Sequence, residues 1–97
     1  MRHFYRSHLP PADVLMEADA FFPAIGLAQT ATAARGRTYS GALGTLKLVV
    51  KAEGGHYTFV EVNTDQMGES RLDRNAKRFF VSLHRVEDPT HTLEASY

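Results

Sequence analysis

The chain contains no cysteine. That single absence excludes disulfides, thiolate zinc sites and a cysteine nucleophile together. Net charge is absent as well, because eleven Lys and Arg stand against eleven Asp and Glu. No overall field therefore steers the molecule toward nucleic acid or an anionic membrane, and an electrostatic partner must be met locally. No stretch approaches the roughly 20 apolar residues that a membrane-spanning helix needs. The opening "MRHFYRSHLPPADV" has no apolar run ahead of its prolines, so neither a secretory signal nor an anchor is expected and a cytoplasmic protein is the reading. Phosphate-loop chemistry is missing too, since Gly41 and Gly44 precede a strand rather than a helix. Histidines stand at positions 3, 8, 56, 84 and 91, but no two have the one-turn spacing of a helical metal motif, so no metal site and no cofactor are expected. No nucleophile has an evident base, which favours a binding domain over an enzyme.

What is present fits one small domain spanning residues 1–97. A hydrophobic fraction of 43% and a charged fraction of 23% are near globular norms. A chain of this size buries about two thirds of its unfolded surface, which makes a deep internal cavity costly.

"RHFYRSHL" (Arg2 to Leu9) is rich in aromatic residues and stops at Pro10-Pro11, so it reads as a first strand. A helix follows, with Pro11 in its first turn. Val14, Ala18, Phe21 and Ile25 recur at spacings of 4, 3 and 4, with Leu15 and Phe22 beside them. Pro23 is expected to end or kink this helix and Gly26 to close it. Thr and Ala alternate near residues 28 to 34, which favours a strand, although alanine also permits a helical extension. The clearest hairpin is "GTLKLVVKAEGGHYTFVEVNTD". Leu46, Leu48 and Val50 alternate with Lys47, Val49 and Lys51, and Thr58, Val60 and Val62 with Tyr57, Phe59 and Glu61, around a turn at Glu53-Gly54-Gly55.

The last helix announces its own start. Ser70 followed by Asp73 is a capping-box pattern that begins a helix near Arg71. From there Leu72, Ala76, Phe79, Leu83 and Val86 recur at spacings of 4, 3, 4 and 3, a continuous apolar stripe. Arg74, Lys77, Arg78 and Arg85 fall on the other side, where a solvated basic face is expected in any case. Residues 10 to 25 carry three acidic groups and no basic one, so the two helices could attract one another. Residues 87–97 read as a loosely ordered tail.

The fold class is therefore α+β: a two-layer domain in the order β-α-β-β-β-α, with an antiparallel sheet of about four strands covered on one face by two helices. "HFYRSHLPPADVLMEA" and "HYTFVEVNTDQMGESRLDRNAKRFFVSLHRV" resemble the opening and the closing strand and helix of the helix-grip superfamily, the START and polyketide-cyclase-like proteins. That resemblance implies a small apolar ligand between the last helix and the sheet, lined by Leu48, Val60 and Phe79. The middle of the chain is short of several strands of that fold. The order helix, three strands, helix over residues 11 to 86 also resembles the double-stranded-RNA-binding domain, through Gly68, Ala76 and Lys77 of "GESRLDRNAKRFF". This implies structured RNA held by Arg71, Arg74, Lys77 and Arg78. The paired lysines of that family are absent, and Asp73 stands among positions that should be basic.

Alternation in the hairpin carries one further expectation. If Leu46, Leu48, Val50, Val60 and Val62 face the helices, then Val49, Tyr57 and Phe59 emerge between Lys47, Lys51 and Glu61 on the face left to water. Clustered apolar groups there are characteristic of a partner surface. A protein partner, most simply a second copy in a homodimer, is the reading they support.

Overall fold

A computed structural model of the chain describes residues 1–87; the expected tail, apart from Glu87, lies outside the described residues. Seven elements follow in the order β1 (Arg2–Ser7), α1 (Pro11–Ala24), β2 (Ala28–Ala33), β3 (Gly36–Gly41), β4 (Gly44–Glu53), β5 (Tyr57–Thr64) and α2 (Arg71–Glu87). The strands form one antiparallel sheet of order β1-β5-β4-β3-β2, and the two helices pack on it as a second layer. The α+β two-layer class is as the sequence indicates, but the sheet has five strands rather than four. The extra strand comes from residues 28–41, which fold into a hairpin of their own instead of a single strand.

The strand expected near residues 28 to 34 is β2, exposed at every position and held by its ladder to β3 with a bulge between Gln29 and Ala31. The strand not read from the sequence is β3: in "GRTYSG" only Tyr39 is buried, which leaves no run of alternating hydrophobicity to read. The turn between the two, Ala34-Arg35, also lacks the Gly or Asn that marks a tight hairpin.

The first helix runs through Pro23. Gly26 then adopts φ +93°, its amide donates to the Pro23 carbonyl at 3.0 Å, and the Leu27 amide reaches back to Phe22 at 3.1 Å. That pair of bonds satisfies the last carbonyls of the helix around a glycine in the left-handed region. The buried side of α1 is Val14, Leu15, Ala18 and Phe22. Phe21 and Ile25, expected in the core stripe, are only partly buried, because Phe21 turns into the seam between the helices, with its ring 5.6 Å from that of Phe79.

In α2 the capping pair forms as the sequence indicates: the Asp73 amide donates to Ser70 Oγ at 3.1 Å. Leu72, Ala76, Phe79 and Leu83 are fully buried, whereas Val86 is 46% exposed and does not join the stripe. The core closes around Phe22, Tyr39 and Phe79, with the Phe22 ring 5.0 Å from Tyr39 and 4.9 Å from Phe79. The buried Tyr39 hydroxyl donates to Asp19 Oδ1 at 2.6 Å. Burial and that carboxylate push its pKa up, so it remains a donor at neutral pH. Arg37 donates to the same carboxylate at 3.1 Å, tying α1 to β3.

The β3–β4 turn depends on two glycines. A Cβ on Gly41 would lie 2.6 Å from the Gly26 carbonyl oxygen, and Gly44 has φ +128° with Asp65 Oδ1 2.5 Å from its would-be Cβ. Gly41→Ala is expected to cost about 1–3 kcal/mol, because the obstacle is backbone and cannot swing away. Chemical denaturation of the variant measures it, and a loss under about 0.5 kcal/mol would mean that the β3–β4 turn yields freely.

Candidate functional site

The helices cover one side of the sheet, and among the described residues no layer covers the other. Strand register decides what stands there. β5 pairs with β1 so that Phe59 faces Arg6 and Glu61 faces Phe4, and with β4 so that Phe59 faces Lys51 and Glu61 faces Val49. Successive side chains of a strand alternate between faces. Arg2, Phe4 and Arg6 therefore share the outer face with Lys47, Val49, Lys51, Tyr57, Phe59 and Glu61.

Two rows cross the sheet there, one reading Arg6, Phe59, Lys51 and the next Phe4, Glu61, Val49. Phe4 and Phe59 lie with ring centroids 5.3 Å apart. Phe4 is 49%, Tyr57 40% and Val49 37% exposed, and Phe59 is partly buried. The charged groups are arranged around them. The Arg2 guanidinium sits 4.4 Å from the centre of the Phe4 ring and donates to Glu61 Oε1 at 2.8 Å, while Arg6 donates to Glu53 at 3.1 Å. Hydrogen bonds from Asn63 and then Arg2 hold the Glu61 carboxyl below its usual range, so it remains an anion. A shallow hollow lined by Phe4, Tyr5, Arg6 and Phe59 adjoins another lined by Val49, Lys51, Glu53, Phe59 and Glu61. Apolar groups at the centre with a charged rim is the anatomy of a protein interface.

The structure thus places Val49, Tyr57 and Phe59 on one open face. Tyr57 stands at its far end, with its ring 4.7 Å from that of His8. Sequence reasoning did not include Phe4 in this cluster. The signal was available in the alternation of Arg2, Phe4 and Arg6 with His3, Tyr5 and Ser7, but the register between β1 and β5, 55 residues apart in the chain, is needed to bring Phe4 beside Phe59.

The three residues expected to line an apolar ligand site, Leu48, Val60 and Phe79, are each 0% exposed and belong to the packed core. Neither of the two hollows on the open sheet face includes them. Arg71, Arg74 and Arg78 come together with Asn75 around a small polar cleft on α2. Lys77, expected with them, points elsewhere and pairs with Glu69 at 3.0 Å.

A buried polar cluster also escaped the sequence reading. Asp73 is fully buried and accepts hydrogen bonds from Ser70 Oγ at 2.6 Å, Thr64 Oγ1 at 2.7 Å and the His3 Nε2 at 2.8 Å. It joins β1, β5 and α2 at one point. Only Ser70 was recognisable as its partner in the sequence, because His3 lies 70 residues away. A carboxylate that takes three donors inside the fold and has no exposed surface acts as a structural tie. Among the described residues, no group of three or more His, Asp or Glu is disposed to hold a metal ion, and no helix is long and apolar enough to cross a membrane.

No protein-family model matches the chain, and no curated protein matches it.

Proposed function

We propose that the chain is a small non-catalytic binding and assembly domain whose open sheet face takes a second copy of itself. The observation that carries this reading is the cluster of exposed Phe4 and Val49 with partly buried Phe59 on a sheet face over which the described residues form no layer. Leaving two adjacent phenyl rings in water costs free energy that packing against another apolar surface recovers. Face-to-face packing of two such sheets is a common solution.

A second copy suits the face for two reasons. The molecule measures 34 × 34 × 22 Å, and a stack of one sheet and one helix layer is thin across its layers. The broad dimensions are then those of the sheet plane, which accommodates the about 800 Å² per partner of a standard interface. Both signs of charge also stand on the same face, with Lys47 and Lys51 near Glu53 and Glu61. A twofold axis placed between the two signs sets cations of one copy against anions of the other, as a self-complementary contact requires. The edges are less suited to pairing, because β2 carries a bulge and β1 carries Arg2 and Arg6, both of which discourage strand addition.

Light scattering at tens of micromolar protein is expected to give twice the 10.8 kDa chain mass. Phe4→Asp combined with Phe59→Asp is expected to give the monomer with its circular dichroism retained, since Phe4 is half exposed and Phe59 faces away from the core. A monomeric wild type would overturn the reading. A dimer that survives the paired substitution would also overturn it, by moving the contact to a sheet edge.

A further inference from the structure

The helix layer carries a second surface of different character. In an α-helix each residue advances about 100°, so Arg71, Arg74, Arg78 and Arg85 of α2 fall within about 60° of arc, roughly opposite the buried stripe of Leu72, Ala76, Phe79 and Leu83. At about 1.5 Å per residue the line of arginines is about 21 Å long. All four are exposed. Attraction between this helix and the acidic α1 would neutralise them, but the ion pairs lie elsewhere. Asp19 of α1 pairs with Arg37 of β3, and Glu69 pairs with Lys77. None of the four arginines forms an ion pair among the described residues. Three of them share a polar cleft with Asn75, whose side-chain amide is anchored on the Arg71 carbonyl at 2.9 Å. Arg78 and Arg85 border the adjoining cleft with Phe21, Val81 and Ser82.

Four like charges on one edge of a chain with no net charge repel one another, and an arrangement of that kind is relieved by a linear polyanion. Arginine forks match phosphate oxygens in geometry as well as charge. The geometry points to the phosphodiester backbone of a nucleic acid duplex, lying along α2, as the ligand of this stripe. An anionic membrane fits less well, because the apolar face that would enter the lipid is spent on the core. The contact reads charge and spacing, so RNA and DNA duplexes share the required chemistry, and the 2′-hydroxyl is where they would part.

Fluorescence anisotropy with labelled 20-base-pair RNA and DNA duplexes tests this, with vesicles of phosphatidylcholine and phosphatidylserine as a third arm. Four phosphate contacts predict a log–log salt slope near about −3.6, so affinity is expected to fall about 10²-fold between 50 and 200 mM salt. Arg74→Glu with Arg78→Glu is expected to weaken duplex binding more than about tenfold, and Arg74→Ala with Arg78→Ala to weaken it in the same direction and by less. Lys47→Glu with Lys51→Glu, on the sheet face, is expected to leave it unchanged. Preference for one duplex identifies the source, and equal binding assigns the contact to the phosphates alone; either supports the inference. It is overturned by absence of duplex binding at 50 mM salt, by vesicle binding without duplex binding, or by equal loss in the sheet-face variant. Because these arms do not depend on oligomeric state, they fail or succeed independently of the assembly proposed for the sheet face.

Discussion

Replacing Phe79 by alanine is expected to destabilise the fold by about 3–5 kcal/mol. Phe79 is fully buried, and its ring lies 4.9 Å from Phe22 and 5.6 Å from Phe21, so it is the hinge of packing between α1 and α2 over the sheet. Removing a ring there forfeits its transfer free energy and leaves a cavity that neighbouring rings cannot fill without leaving their rotamers. For a chain of this size total stability is about 5–15 kcal/mol, and the variant loses a large share of it. Urea unfolding measures the loss, with Val81→Ala as the companion. Val81 sits on the same helix but is 51% exposed, and it is expected to cost less than about 1 kcal/mol. The same experiment bears on the apolar ligand site that a helix-grip resemblance implies at Leu48, Val60 and Phe79. If these side chains lined a cavity, truncating Phe79 would enlarge an existing space at modest cost. A loss below about 1 kcal/mol would sink the core assignment and reopen that site.

The parts of the fold that could be read from the sequence are those where one face of an element is buried and the other is not. β4 and β5 bury Leu46, Leu48, Val50, Val60 and Val62 on alternate positions, and the solvent enforces that contrast on the sequence. The same contrast along α2 made Leu72, Ala76, Phe79 and Leu83 visible as a stripe, and the cap at Ser70 is local enough to read within four residues. β3 gives no such contrast, because Tyr39 alone among its residues is buried, so its existence depends on ladders that propensity alone does not reveal. The limits of the stripes were misread where geometry intervenes. Val86 satisfies the period but emerges into solvent near the helix end, and Phe21 serves the seam between helices rather than the sheet. Site residues follow the same division. Val49, Tyr57 and Phe59 were legible from alternation, whereas Phe4 needed the β1–β5 register. On α2, Lys77 and the arginines have the same charge, and only their angular positions and the Glu69 contact separate them.

Acid is expected to remove about 2 kcal/mol of stability through one carboxylate, Asp73. Burial by itself pushes this carboxyl up, but hydrogen bonds from Ser70, His3 and Thr64, with the His3 charge nearby, outweigh it and hold the pKa at about 2, below the usual 3.8. A group whose pKa is lower folded than unfolded contributes stability that is fully present above the unfolded value and lost as pH falls through the folded one. The window is therefore from about pH 4 down to about pH 2, and the difference between the two pKa values sets the magnitude at about 2 kcal/mol. Asp73→Asn removes the titration while keeping a side chain of the same size. Its stability relative to wild type, followed by urea unfolding from pH 6 to pH 2, is expected to be lower at pH 6 and to converge on the wild type as the pH falls. Asp73→Ala is expected to cost more, about 3–5 kcal/mol at neutral pH, since it strands the hydroxyls of Ser70 and Thr64 and the His3 ring in a buried site and removes half of the helix cap. Parallel pH profiles for wild type and Asp73→Asn would show that the carboxylate is not the group through which acid acts. The tie between β1, β5 and α2 would then depend on packing, with the three hydrogen bonds contributing equally in either protonation state.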